Sequence, residues 1–162
     1  MIGGYNNGGK SDVTLYNIGD NTACALASFP RTTHADASAV TTNGIVTCGG
    51  ETSSGHLTSC YRLTTGNEWV SFPSLKKKRA YFSMKVLNGR LWAFGGQHNP
   101  GTIEYIDVNN PTEWTLQSTP FNIYANCLTE YPNNRILSIG GIENSVSYLN
   151  TSHKMLCYKS DI

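Results

Sequence analysis

The sequence has little charge, no long apolar run and no helical periodicity. Only 14% of its 162 residues are charged and the formal net charge is +1, so no overall field draws the chain to nucleic acid or membranes. No apolar run approaches the roughly 20 residues that a membrane-spanning helix needs. No apolar stripe shows the 3.6-residue period of an amphipathic helix. What remains is rich in Gly, Ser, Thr, Asn and Tyr, a composition typical of short strands joined by turns.

Signatures of catalytic and metal chemistry are also absent. The four histidines show no ligand spacing, and neither a Cys-x-x-Cys pair nor a Gly-x-Ser-x-Gly motif occurs. Residues 4–11, GYNNGGKS, match a phosphate-binding loop, but a strand-like stretch follows them where that loop requires a helix. We therefore expect no enzyme activity, no metal site and no cofactor.

The chain does contain a repeat. Glycine pairs occur at 3–4, 49–50, 95–96 and 140–141, and the later three end the apolar runs GIVTCGG, RLWAFGG and RILSIGG. Each pair is followed by a polar loop and then by a strand-like stretch that contains a tyrosine. A second strand-like stretch comes after it. A further strand then leads through a turn into the next pair, as at Asn88-Gly89. Four short strands per repeat of this length predict an all-β fold of propeller blades.

The order of glycine pair, tyrosine and Glu-Trp resembles the kelch repeat over essentially the whole chain. The matching positions, which we expect to be structural, are Gly49, Gly50, Tyr61, Trp69, Gly95, Gly96, Tyr105, Trp114, Gly140 and Gly141. The resemblance implies a kelch-type β-propeller segment of about three and a half four-stranded blades. Because such propellers generally close with about six or seven blades, we expect residues 1–162 to be part of a longer chain. The alternative is a ring completed by another copy or another chain.

Two of the five cysteines are symmetrically placed. If Cys48 and Cys60 face each other across a hairpin, paired positions sum to 108 and the turn centres on Ser54. Adjacent antiparallel strands then permit a disulfide, worth about 3 kcal/mol in the chain-entropy model. Two buried free thiols are the alternative. The pattern resembles secreted invertebrate kelch-type proteins, and a disulfide would imply an oxidising compartment. Asn150 lies in a glycosylation sequon, which is consistent with secretion.

Ligand-binding residues are expected on one face of the segment. The loops between the second and third strands of a blade, and the links to the next blade, should emerge there together. The candidates are Arg31, His34, His56, Lys76, Lys77, Lys78, Arg79, Gln97 and His98. The basic run 76–79 predicts an anionic partner, either an acidic protein segment or a sulfated glycan. The alternative is a solvated loop followed by one structural arginine.

The leading hypothesis is a non-catalytic binding or scaffold module that works outside the cell and presents these loops to a protein or glycan. One alternative is an intracellular adaptor, resembling proteins that combine kelch and BTB domains to deliver substrates to ubiquitin ligases. A second is a structural component of a matrix or filament. A third, which the missing ligand motifs disfavour, is a copper enzyme resembling galactose oxidase.

Overall fold

The computed structural model describes residues 9–120, 122–143 and 147–148, and these residues form only strands, turns and irregular segments. The strands are β1 (Thr14–Asn17), β2 (Thr22–Ala25), β3 (His34–Thr41), β4 (Gly44–Thr52), β5 (Gly55–His56), β6 (Cys60–Leu63), β7 (Trp69–Phe72), β8 (Ser83–Leu87), β9 (Arg90–Phe94), β10 (Thr102–Asp107), β11 (Thr115–Ser118), β12 (Ile123–Tyr124), β13 (Cys127–Tyr131), β14 (Arg135–Ile139), β15 (Ile142–Glu143) and β16 (Ser147–Tyr148). The predicted all-β class is confirmed.

The strands form successive antiparallel sheets in chain order. The central two are four-stranded meanders, β3-β4-β6-β7 and β8-β9-β10-β11, and β5 extends the first beyond β4. We call these the second and third blades. Before them lies the pair β1-β2, the first blade, and after them lie β13-β14 and the small sheet β12-β15-β16, the fourth. This is the arrangement of a partial β-propeller, and the described residues do not close into a ring.

The hairpin between β4 and β6 keeps the predicted register near the cysteines and departs from it at the tip. Cys48 pairs with Cys60 and Ile45 with Leu63, both summing to 108. At the tip Thr52 pairs with Gly55, so the turn consists of residues 53–54 rather than centring on Ser54. The shift arises at the glycine pair, because the Gly50 amide leaves the hairpin and donates to the Arg79 carbonyl at 2.8 Å.

Gly50 can make this excursion because it carries no side chain. Its φ is +90°, and a Cβ there would meet the His34 carbonyl oxygen at 2.9 Å. In the third blade the Gly96 amide donates equivalently to the Ile123 carbonyl at 3.1 Å. The repeated glycines therefore let the second strand of one blade bond to the link that enters the next.

The apolar core lies between the blades, because one sheet cannot cover both of its faces. The cluster between the second and third blades comprises Ala37, Val46, Cys48, Cys60, Phe72, Leu75, Phe82, Met84, Leu91, Ala93, Ile106, Val108 and Trp114. A smaller cluster of Val13, Phe29 and Leu63 joins the first two blades. Two of the three tryptophans also form a hydrogen bond between blades, because Trp69 Nε1 donates to the Ala27 carbonyl and Trp114 Nε1 to the Pro73 carbonyl, both at 2.8 Å.

Backbone hydrogen bonds also connect neighbouring blades to one another at the start of their first strands. The Tyr81 amide donates to the Ala35 carbonyl at 2.9 Å, and the Ala125 amide to the Tyr81 carbonyl at 2.6 Å. All three residues have left-handed φ values of 54–55°, which costs about 1–2 kcal/mol for residues other than glycine. A conformation repeated at equivalent points of three blades is a requirement of the architecture rather than a local accident.

Tyr105 is not the counterpart of Tyr61, which corrects the repeat alignment. Tyr61 pairs with Thr47, whereas the equivalent position beside Ala93 is occupied by Glu104. Tyr105 therefore faces the other side of its sheet, where it packs on Trp92 with ring centroids 4.8 Å apart. The spacing misled because the loop after the glycine pair is shorter in the third blade than in the second.

Candidate functional site

Arg79 is interior and belongs to the scaffold of the loop face. Its side chain is 0% exposed, and both Nε and Nη2 lie 3.0 Å from Glu104 Oε1. It also donates to the Gly95 carbonyl and, at 3.0 Å, to the Thr102 carbonyl. Burial lowers the pKa of Arg79, and the charge of Glu104 opposes that effect. Because its donors are committed and covered, we remove Arg79 from the candidate ligand-binding residues.

Arg31 makes the same connection in the second blade. It donates to the Gly49 carbonyl at 2.8 Å and to the Ser59 carbonyl at 3.2 Å, the counterparts of Gly95 and Thr102. In place of a carboxylate it lies over two rings, 5.3 Å from the centroid of Tyr61 and 5.4 Å from that of Phe29. Burial also lowers its pKa. Arg31 therefore has a scaffold role like that of Arg79.

The lysines of the basic run are fixed through their backbone, while their side chains stay exposed. Glu104 accepts from the Lys76 amide at 2.6 Å and from the Lys77 amide at 3.1 Å. Lys76 Nζ also lies 3.5 Å from Glu113. The buried Glu104 carboxylate thus fixes the backbone of the link 73–79 from the interior. The charged groups of Lys77 and Lys78 remain exposed to solvent.

Three histidines that are distant in sequence form a cluster in which two of them contact one glutamate and the third packs on one of those two. Glu51 Oε2 lies 3.4 Å from His34 Nε2, and Glu51 Oε1 lies 3.5 Å from His56 Nε2. The rings of His56 and His98 have centroids 4.3 Å apart. We call these four residues the histidine cluster. Spacing alone could not reveal it, because the three imidazoles come from two different blades.

The fold dictates this meeting. Strand pairing sets His34 opposite Glu51 in β3 and β4, and Glu51 opposite His56 in β4 and β5. His98 follows Gln97, whose amide donates to the Ala80 carbonyl at 2.8 Å. The His98 backbone has a left-handed φ of 71°, and its ring contacts that of His56 in the second blade.

The basic link runs beside this cluster. The Arg79 amide donates to the Leu57 carbonyl at 3.0 Å, next to His56. Asn99 Nδ2 donates to the Lys78 carbonyl at 2.9 Å, next to His98. The predicted loop face therefore places the histidine cluster and Gln97 beside the link that carries Lys76, Lys77 and Lys78.

Two further residues at this face were missed by the sequence analysis. The ring of Tyr81, which is 40% exposed, meets the His34 ring edge-on at 6.4 Å between centroids. Asp36 follows His34 by two residues in β3, and burial raises its pKa against the opposing effects of its own backbone amide and of Arg31 and His34. Asp36 lies inside β3 and Tyr81 is an aromatic residue just before β8, so a search for polar side chains in loops finds neither of them.

Among the residues that the structure describes, no three His, Cys, Asp or Glu side chains are placed to hold a metal ion. The described part of the chain also contains no helix with the length and apolarity that a membrane crossing requires.

Cys48 and Cys60 are joined by a disulfide with a Cα–Cα distance of 4.1 Å, as predicted, and both lie in the core between the second and third blades. Cys24 and Cys127 are free and exposed. Several predictions lie outside the described residues, namely glycosylation at Asn150, the glycine pair at 3–4 and the state of Cys157.

Comparison with known proteins supports the repeat assignment. A segment of 68 residues, 40% of this chain, is 34% identical to Kelch-like protein 33 of Homo sapiens. The match covers 13% of that protein's own length, so it concerns a small part of it. No family model matches the chain. Together with the stacked four-stranded sheets, the similarity suggests a kelch-type family, and it gives no support to a secreted invertebrate branch in particular.

Proposed function

We propose that this chain is a non-catalytic binding module that presents its loop face to a protein partner bearing negative charge. The observation that carries the proposal is the ordering of the basic link by Glu104. The carboxylate holds the Lys76 and Lys77 amides at 2.6 and 3.1 Å, so the lysine side chains project from a fixed backbone. Loops held on a rigid scaffold are where binding residues usually lie.

The similarity to Kelch-like protein 33 supports a binding role over an enzymatic one. Exposed Lys77 and Lys78 supply charge that favours an anionic partner, and the neighbouring imidazoles widen the polar surface. Acidic protein segments fit this surface, and a sulfated glycan is the other anionic partner to test.

The disulfide supports a location in an oxidising compartment, and we propose that the chain works outside the cell. The similarity to Kelch-like protein 33 favours the alternative of an adaptor inside the cell. Mapping of peptides from native material without reducing agent separates the two. Cys48 and Cys60 should be recovered as one linked peptide, and their recovery as free thiols would overturn the extracellular proposal.

We also propose that further blades complete the ring, supplied by a longer chain or by another copy. In the described part of the chain the first blade has two strands, and it exposes 53% of Leu15 and 62% of Tyr16. Tyr61 on the matching strand of the second blade is less exposed than Tyr16. It is half-buried because a neighbouring blade covers part of it. The intact mass of the natural protein, alone and under native conditions, tests this proposal.

The binding proposal is tested with a fluorescein-labelled peptide of eight glutamates, by fluorescence anisotropy at about pH 7.5. The double variant Lys77→Gln/Lys78→Gln should weaken binding by roughly threefold to tenfold, because two charges near the ligand are lost. Arg90→Gln/Arg135→Gln removes the same charge at the strand ends away from this face and is the matched control. Equal weakening in both variants would show mere attraction to net charge and would refute the site.

A further inference from the structure

We infer that the histidine cluster makes the loop face a pH-dependent docking site for an acidic protein segment, with tighter binding at acidic than at neutral pH. The inference rests on the proposed function, since it names the partner and the regulation of the same face. Histidine is the side chain whose charge ordinarily changes between about pH 5 and 8.

The geometry already shows how the cluster receives a carboxylate. Both oxygens of Glu51 face imidazole nitrogens, His34 Nε2 at 3.4 Å and His56 Nε2 at 3.5 Å. His98 lies on the outer side of His56 and is exposed. A glutamate or aspartate from a partner can approach the exposed His98 as Glu51 approaches His34 and His56.

Acidification changes the charge of this surface. With neutral imidazoles the cluster carries the single negative charge of Glu51, and protonation adds up to three positive charges. The rings of His56 and His98, with centroids 4.3 Å apart, repel each other when both are protonated. A bound carboxylate relieves that repulsion, so ligand binding and protonation favour each other.

The charged and titratable groups around the imidazoles do not cancel this effect of protonation. Glu51 of β4 lies between His34 and His56, and Asp36 of β3 interacts electrostatically with His34. Arg31 compensates Asp36, while Tyr81 presents a ring edge to His34. Lys78 in the link 73–79 lies beside the cluster, because the side-chain amide of Asn99, the residue after His98, donates a hydrogen bond to the Lys78 carbonyl.

The strength of the effect follows from Coulomb's law. An imidazolium about 6 Å from a ligand carboxylate in water strengthens binding roughly threefold. Because Glu51 offsets part of the added charge and salt screens the remainder, we expect about tenfold for the whole cluster.

The test measures binding of the labelled octaglutamate peptide to the 162-residue chain at about pH 7.5 and pH 5.5, at fixed ionic strength. The wild-type dissociation constant should fall about tenfold at the lower pH. In His34→Gln/His56→Gln/His98→Gln it should change by less than about twofold. Exposed His98→Gln alone, which leaves the buried contacts in place, should lose roughly a threefold share of the gain. A gain that survives in the triple variant would overturn the inference.

Two further arms separate this inference from the proposal beneath it. Lys77→Gln/Lys78→Gln should bind more weakly at both pH values and keep its pH-dependent gain. Binding that depends on these lysines but not on pH would refute the inference alone, whereas no binding at either pH would refute both. A heparin octasaccharide serves as the competing anion. A larger histidine-dependent gain for the octasaccharide than for the peptide would refute the assignment to an acidic protein segment.

Discussion

Replacing Glu104 with glutamine tests whether a buried ion pair supports the loop face. The carboxylate is 0% exposed and has four close partners, the Lys76 and Lys77 amides and the Arg79 Nε and Nη2 groups. Glutamine keeps the shape but loses the charge and turns one acceptor oxygen into a donor. Arg79 is then left as a buried cation without a counter-ion, while part of the link's amide bonding is lost.

Removing one partner from a buried ion pair costs about 3–5 kcal/mol. With a urea dependence of about 2 kcal/mol per molar, Glu104→Gln should lower the unfolding midpoint by roughly 1.5–2.5 M. Unfolding can be followed by tryptophan fluorescence, to which buried Trp114 contributes. The same substitution at Glu113 is the control, because that side chain is 79% exposed and pairs with Lys76 at the surface. Its expected cost is below about 1 kcal/mol.

A double-mutant cycle isolates the pair itself. Arg79→Met/Glu104→Gln should cost clearly less than the sum of the two single variants, because the double variant leaves no unpaired buried charge. Two results would refute the reasoning: a Glu104→Gln variant within about 1 kcal/mol of wild type, or strictly additive single effects.

Three further predictions concern blade stacking, the disulfide and pH. In urea unfolding, Trp114→Phe should lower the free energy of unfolding by about 2–4 kcal/mol and Trp69→Phe by about 1–2 kcal/mol. Both variants lose an interblade hydrogen bond, but only Trp114 is fully buried. The reverse order would contradict this packing. Cys48→Ala/Cys60→Ala should cost about 3 kcal/mol, and Cys24→Ser, at an exposed free thiol, should be neutral; equal unfolding midpoints for the two would argue against the disulfide. The raised pKa of Asp36 means that the native state binds its proton more tightly than the unfolded chain does, so stability is lost as the pH rises above the ordinary value of 3.8. Asp36→Asn should therefore gain stability relative to wild type as the pH rises above 3.8, and a pH-independent difference would refute that sign.

The repeat made the fold predictable, because each blade must bury its faces against its neighbours and so reuses the same residues. Trp69 and Trp114 show this, since both donate to matching carbonyls of the preceding blade. The Cys48–Cys60 pairing was predictable for a related reason, as hairpin register follows from symmetry within one blade.

Features that depend on contacts between blades could not be predicted in this way. Arg31 and Arg79 reach equivalent carbonyls from different points of their links, which no alignment of spacings reveals. Glu104 occupies the position of Tyr61, so a carboxylate and an aromatic ring do the same work for two arginines. The histidine cluster depends on the position of the loop at Gln97 relative to the second blade. Backbone hydrogen bonds determine that position.

The most direct test of the account is an amide chemical-shift map of the ¹⁵N-labelled chain titrated with the octaglutamate peptide at about pH 5.5. The account predicts that the largest changes fall on residues 51–58, 76–80 and 97–99, and that they shrink strongly at about pH 7.5. Changes centred on the opposite strand ends, at residues 41–44 and 87–90, or spread evenly over the chain, would contradict it.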